Sequence, residues 1–198
     1  TRRGLNIEDY PSIKKHLEKF KPELTAKKHK SDKIGRRPGT YKWYEPIDPV
    51  TYYKAFESPR IIYGSFVVKP RFTIDYDGYY ANNANFIIPV TDKKLLGILN
   101  SKLGWFLIKN NCTQIQSGFQ LIGDYFKNIP ISKNSSIELE KIVDKILKLN
   151  SQYIHETSEK KKTEMPTNIK KIDEEIDELV YKLYNITDEE KAIIESSA

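Results

Sequence analysis

The 198-residue chain has one cysteine, one methionine, nine glycines and ten prolines, and these scarcities exclude several classes. Cys112 alone cannot form an internal disulfide, so a disulfide-stapled secreted scaffold is excluded and a cytoplasmic location is expected. So little glycine and proline excludes collagen-like and low-complexity chains. No run approaches the ~18 consecutive apolar residues that read as a membrane span. The opening Thr1-Arg2-Arg3 does not read as a secretory leader, and no membrane partner is expected. A first residue other than Met suggests a piece of a longer protein.

Catalytic signatures are scarce as well. His16, His29 and His155 lie far apart, and no Cys/His cluster has metal-ligand spacing, so no metal is expected. No Gly-rich phosphate loop follows a strand, no Gly-x-Ser-x-Gly elbow occurs, and Cys112 has no evident His partner. Asp92-Lys93-Lys94 resembles the acidic-x-Lys pattern of nucleases, but its place at a helix start is better read as an N-cap. Asp75 and Asp77 could pair on a metal, yet the Asp75-Tyr76-Asp77-Gly78 run is turn chemistry. No catalytic residue and no cofactor is expected within this chain.

What the chain has is aromatics and charge. Thirteen Tyr, eight Phe and two Trp are too many for a solvated tail. The net charge of +6 hides a gradient: residues 1–44 carry thirteen Lys/Arg against five Asp/Glu, and residues 151–198 carry seven against twelve. A basic front suggests a polyanion partner, although lysines that merely solubilise a face would look the same.

Ile13, Leu17 and Phe20 predict a helix capped by Ser12 and closed before Pro22, and residues 25–41 read as a basic loop. Residues 60–68, 72–74 and 79–90 predict strands joined through the Asp75–Gly78 turn. Thr91-Asp92 opens a helix whose Leu95, Leu96, Leu99, Leu103, Phe106 and Leu107 share one face. Residues 113–118 read as irregular, and the pieces around 121–131 as a return to the sheet. Ser135 and Glu138 have capping-box spacing ahead of Leu139, Ile142, Ile146, Leu149 and Tyr153. A polar break at 159–167 containing Pro166 precedes Ile169, Ile172, Ile176, Leu179 and Leu183, and Thr187 with Glu190 starts a last short helix. The class is therefore α+β: a mostly antiparallel twisted β-sheet with packed helices, followed by a C-terminal antiparallel helical hairpin. The expected division is residues 1–134 and 135–198.

The motifs, in order, resemble the TaqI-like C-terminal specificity domain, the target-recognition domain of adenine-specific DNA methyltransferases, chiefly fused type IIG restriction–modification enzymes. The resemblance rests on Tyr10-Pro11-Ser12-Ile13 through Pro22, Trp43-Tyr44-Glu45 and Ser58-Pro59-Arg60-Ile61-Ile62-Tyr63. It continues with Leu95-Leu96-Gly97-Ile98-Leu99-Asn100-Ser101-Lys102-Leu103, its most specific piece, then Phe126-Lys127-Asn128-Ile129-Pro130-Ile131 and the stretch Glu174–Tyr184. Neither an Asn-Pro-Pro-Tyr-like pocket nor an S-adenosylmethionine loop is present. The resemblance implies that methyl transfer, with S-adenosylmethionine, and any Mg²⁺-dependent cleavage reside in a methyltransferase domain and other parts of the same parent chain. This chain would select a double-stranded DNA site.

Such a module grips phosphates for affinity and reads base edges for specificity. The candidate phosphate contacts are Arg36, Arg37, Lys42, Arg60, Lys69 and Arg71. Asn82, Asn83 and Asn85, with Tyr79 and Tyr80 beside them, are candidates for base reading. So are Gln114, Gln116, Ser117 and Gln120. The plainer alternatives are local backbone bonding for Asn82-Asn83, ordinary surface for the glutamines and a solvated loop for Arg36-Arg37. Two rival functions stay open: a protein-interaction or scaffold module built on the C-terminal helices, and a self-sufficient nuclease using Asp75 or Asp92.

Overall fold

The computed structural model describes residues 4–49 and 51–197. Packing divides the chain after Glu57, into a small first unit and a second unit running from Ser58.

In the first unit a short 3-10 turn, Ile7–Asp9, leads into α1 (Pro11–Glu18) and α2 (Lys21–Leu24). Helix α1 begins one residue earlier than its expected Ser12 cap: Pro11 takes the first turn, where a missing N–H costs nothing. For the same reason Pro22 opens α2 instead of ending helical structure. Residues 25–49 form a loop, with one parallel bridge between Ala26 and Arg36, and a second 3-10 stretch covers Thr51–Phe56. Among the described residues of this unit, Tyr41 is the buried hydrophobic one.

The second unit is α+β. Strands β1 (Arg60–Gly64), β2 (Phe66–Val67), β3 (Phe72–Asp75) and β4 (Asn85–Ile88) are followed by α3 (Lys93–Asn100) and α4 (Lys102–Asn111). Next come the hairpin β5 (Thr113–Ile115) and β6 (Gly118–Gln120), the one-turn α5 (Gly123–Phe126), then α6 (Ile137–His155), α7 (Glu159–Tyr184) and α8 (Asp188–Ser196). The described residues form two antiparallel three-stranded sheets, ordered β3-β1-β4 and β2-β6-β5.

The run expected as one strand over 60–68 breaks at Ser65. Its N–H bonds Ala84 O at 2.8 Å and its carbonyl accepts from Leu121 N at 2.9 Å, so the chain leaves one sheet and enters the other. Of the strand expected over 79–90 only Asn85–Ile88 forms regular strand, with Ala84 and Val90 adding single backbone bonds at its ends, because the turn reaches further than its Asp-Gly signal. The segment expected to be irregular after α4 is the β5–β6 hairpin, and residues 121–131 form α5 and coil instead of returning to a sheet.

The helix expected from Thr91 onward is two. Ser101 ends α3 and caps α4, its hydroxyl donating to Ile98 O at 2.8 Å and accepting from Gly104 N at 3.0 Å. Ser136, not Ser135, caps α6. The expected break at 159–167 is helical. Met165, buried, extends the apolar stripe upstream of Ile169, and this packing outweighs the backbone bond that Pro166 gives up. Helices α6 and α7 run antiparallel, since Ile142 and Leu179 line one groove while Leu149 and Met165 line another. The Thr187–Glu190 capping box forms with both of its hydrogen bonds.

One core joins these parts. Ile61, Tyr63, Phe72 and Ile74 of the first sheet cluster with Leu96 and Leu99 of α3, Leu139 and Val143 of α6, and Ile172, Ile176 and Val180 of α7. The C-terminal helices thus pack within the same unit as the sheets. The edge strand β3 is sealed by Asn100, whose side chain exchanges two 3.0 Å bonds with the Phe72 backbone.

Candidate nucleic-acid interface

The buried Arg60–Asp75 pair shapes one end of the first sheet. These residues face each other in the β1–β3 register, 2.7 Å apart, with side-chain exposures of 0% and 6%. Arg60 also donates to Ser58 O at 2.8 Å and to Tyr79 O. Asp75 Oδ1 accepts from Asp77 N (2.9 Å) and Gly78 N (3.1 Å), and Oδ2 accepts from Tyr79 N (3.0 Å). Gly78, at φ +82°, supplies the backbone conformation the turn requires. Outside this knot the rings of Tyr76, Tyr79 and Tyr80 are 57%, 69% and 62% exposed. Arg60 therefore cannot serve as the phosphate contact expected of it: its guanidinium is wholly inside, spent on Asp75 and two carbonyls.

Beyond the tyrosines, Asn82 closes a local turn, its Oδ1 accepting from Ala84 N (3.0 Å) and Asn85 Nδ2 (2.9 Å). That is the plainer alternative for Asn82, and it occupies the Asn85 donor too. Asn83 is exposed and makes no side-chain hydrogen bond among the described residues. The Ser65 crossover sets this turn beside the second sheet, because Asn85 pairs with Gly64 and Gln120 with Phe66. Strand alternation puts Gln120, Thr113, Ile115 and Phe66 on one face and Gln114 on the other, with Phe119 and Val67. The glutamines therefore do not converge. Gln116 and Ser117 form the hairpin tip, with Gln116 at φ +52°, a strained backbone for a residue with a side chain. A Cβ on Gly118 would lie 2.5 Å from the Phe66 ring, so only glycine lets that ring lie across the hairpin.

Arg71 is exposed and lines a groove of about 440 Å³ with Ile62, Gly64, Phe66, Val68, Thr73 and Asn85. Lys69 borders a different depression with Asn150 and Asp173, so the two cations flanking Pro70 do not share a groove.

In the first unit, Arg36 is an internal organiser. Its guanidinium donates to the carbonyls of Leu24 (2.5 Å), Glu45 (2.8 Å) and Trp43 (2.9 Å) and lies 4.6 Å from the Tyr41 ring centre. Arg37 is exposed and paired with Asp48. Lys42 Nζ sits 5.6 Å from the Tyr44 ring centre, and the Tyr44 hydroxyl beside it raises its pKa above the usual lysine value, so it stays cationic.

Asp92 caps α3 through Leu95 N at 2.9 Å, while Lys93 pairs with Asp144 and Lys94 with the carbonyls of Ser132 and Asn134. All three are thus in structural use. Cys112 is buried, which pushes its thiol pKa up.

The family model for the TaqI-like C-terminal specificity domain matches residues 3–131, more than half of the chain. The chain belongs to this family. It is a DNA-recognition specificity domain of the restriction–modification kind, and its partner is DNA. The Ser65 crossover and the buried Arg60–Asp75 pair fix the backbone of this surface from within. Among the described residues no helix is long and apolar enough to cross a membrane. Sequence reasoning missed Phe66 and Val68, exposed apolar residues beside Asn85 and Gln120; their alternation with buried Val67 was the available signal.

Proposed function

We propose that this chain reads double-stranded DNA sequence through the surface around Ser65 and the Asp75–Asn85 turn. It thereby holds a site in register for adenine methylation, with or without cleavage, by domains of the same parent protein outside this chain. S-adenosylmethionine, and Mg²⁺ where a nuclease is present, would be bound in those domains. The target adenine would be rotated out of the stack toward them.

The family match over residues 3–131 carries this reading, and the geometry supports it. Asn83 offers a paired amide donor and acceptor for an adenine edge, and Arg71 can pair with guanine or with phosphate. The β5–β6 hairpin is a two-stranded ribbon of the kind the major groove admits, with Gln116 and Ser117 at its tip. Tyr79 and Tyr80 add aromatic surface, and Arg37, Lys42 and Lys69 remain as phosphate contacts. The groove beside Arg71 is small, so a duplex would lie across it with only side chains and base edges meeting inside. Of the stripes that prompted the interaction-module alternative, Leu139, Ile172 and Ile176 are buried in the core, and Ile142, Ile146, Leu149, Leu179 and Leu183 are half-buried against it.

The test uses the full-length protein and a duplex library with a randomised core, sequenced before and after retention at two salt concentrations. A common motif should be enriched, with affinity falling as salt rises. Arg71→Ala should either flatten the salt slope by ~0.9, if Arg71 meets a phosphate, or relax one position of the motif, if it meets a base. Retention without any enriched motif would overturn the proposal.

A further inference from the structure

Tyr79, Tyr80 and Asn83, among the exposed groups assigned to base reading, sit on a turn that no regular secondary structure supports. From Tyr76 to Ala84 the chain belongs to neither sheet. What fixes the first half of this turn is the buried carboxylate of Asp75, which collects three backbone N–H groups at 2.9–3.1 Å. Arg60 holds that carboxylate from below at 2.7 Å and ties down the Tyr79 carbonyl as well. Both polar groups of the Tyr79 peptide backbone are therefore anchored to one ion pair, while the Tyr79 ring stays exposed. Asn82, through Ala84 N and Asn85, fixes the second half.

An ion pair this buried is a costly way to stabilise a fold, because both charges must be desolvated. An apolar cross-strand pair at the same register would serve the sheet as well, as Ile61 opposite Ile74 does one position on. The pair has a geometric capacity that an apolar pair lacks: it dictates the direction of four successive peptide units. We propose that Arg60 and Asp75 are specificity-determining positioning residues that present Tyr79 and Tyr80 to the DNA without touching it. The inference rests on the DNA-reading function proposed above and assigns that function's accuracy to a buried knot.

Asp75→Glu keeps the charge pair, so no buried cation is left alone, but its longer side chain cannot hold the same three N–H groups. Arg60→Lys keeps the charge but loses the guanidinium fork, and serves should Asp75→Glu not fold. Leu139→Ala, in the core on α6, is the control for stability loss alone. In the full-length protein, the randomised duplex library should show preference for the selected motif reduced about tenfold or more in Asp75→Glu. Retention of random duplex and its salt slope should stay as in the wild type. Leu139→Ala, even with a lower Tm than Asp75→Glu, should keep the motif. Equal motif preference in wild type and Asp75→Glu would overturn the inference, as would loss of the motif in Leu139→Ala. Failure of the wild type itself to enrich any motif would be a different result, overturning the DNA-reading function and this inference with it.

Discussion

Gly97 provides a test of whether α6 belongs to the recognition fold. A Cβ built at Gly97 on α3 would lie 2.9 Å from Val143 Cγ2 and 3.0 Å from Leu139 Cδ1, both on α6. Leu139 can turn its tip aside, but Val143 is β-branched and stiff at χ1, so the helices must separate. Gly97→Ala gains ~1 kcal/mol of helix propensity and incurs ~1–3 kcal/mol of overpacking. The strain should prevail, with net destabilisation of about 1 kcal/mol and a Tm lowered by ~2–4 °C for a chain of this size. Adding Val143→Ala removes the colliding methyls, so the double variant should lose less stability than the sum of the two single variants. Denaturant and thermal unfolding of the four proteins check this. A rise in Tm for Gly97→Ala alone would mean that helix propensity acts unopposed, and would refute close packing of α3 on α6.

Two further outcomes follow from the geometry. Gln116→Gly relieves the left-handed backbone at φ +52° and should stabilise the protein by ~1 kcal/mol, while blunting the selected DNA motif; unchanged stability would mean the turn is unstrained. Burial pushes the Tyr63 and Tyr181 hydroxyls up to about 12. Because the folded values lie above the unfolded value of about 10, their stabilising contribution is complete below that pH and is lost as pH rises toward about 12. Phenolate absorbance should therefore show two tyrosines titrating last, together with unfolding; a single transition near 10 with the fold intact would contradict this.

Local signals proved legible where a short motif acts alone. The Thr187–Glu190 box, the Asp92 cap and the Asp75–Gly78 turn are each set by side chains bonding backbone two to four residues away. The division of residues 60–68 was marked only by Gly64-Ser65 inside a run otherwise suited to a strand, and where the chain goes at that break depends on Ala84 and Leu121. The β5–β6 hairpin carries no Asn-Gly signal and turns on Gln116 instead. Basic residues proved the hardest, since composition does not tell whether an arginine faces in or out. Arg36 and Arg60 both looked like phosphate contacts and both hold backbone carbonyls from within. The Arg60–Asp75 pairing was latent in the strand register, which places the two residues opposite each other between β1 and β3.

The most direct measurement is photo-crosslinking of the full-length protein to its selected duplex substituted with bromodeoxyuridine, followed by peptide mapping. Adducts should fall within residues 76–85 and 113–120, where the exposed tyrosines, Asn83 and the hairpin tip lie. Adducts confined to α6, α7 and α8 would contradict the assignment of the reading surface.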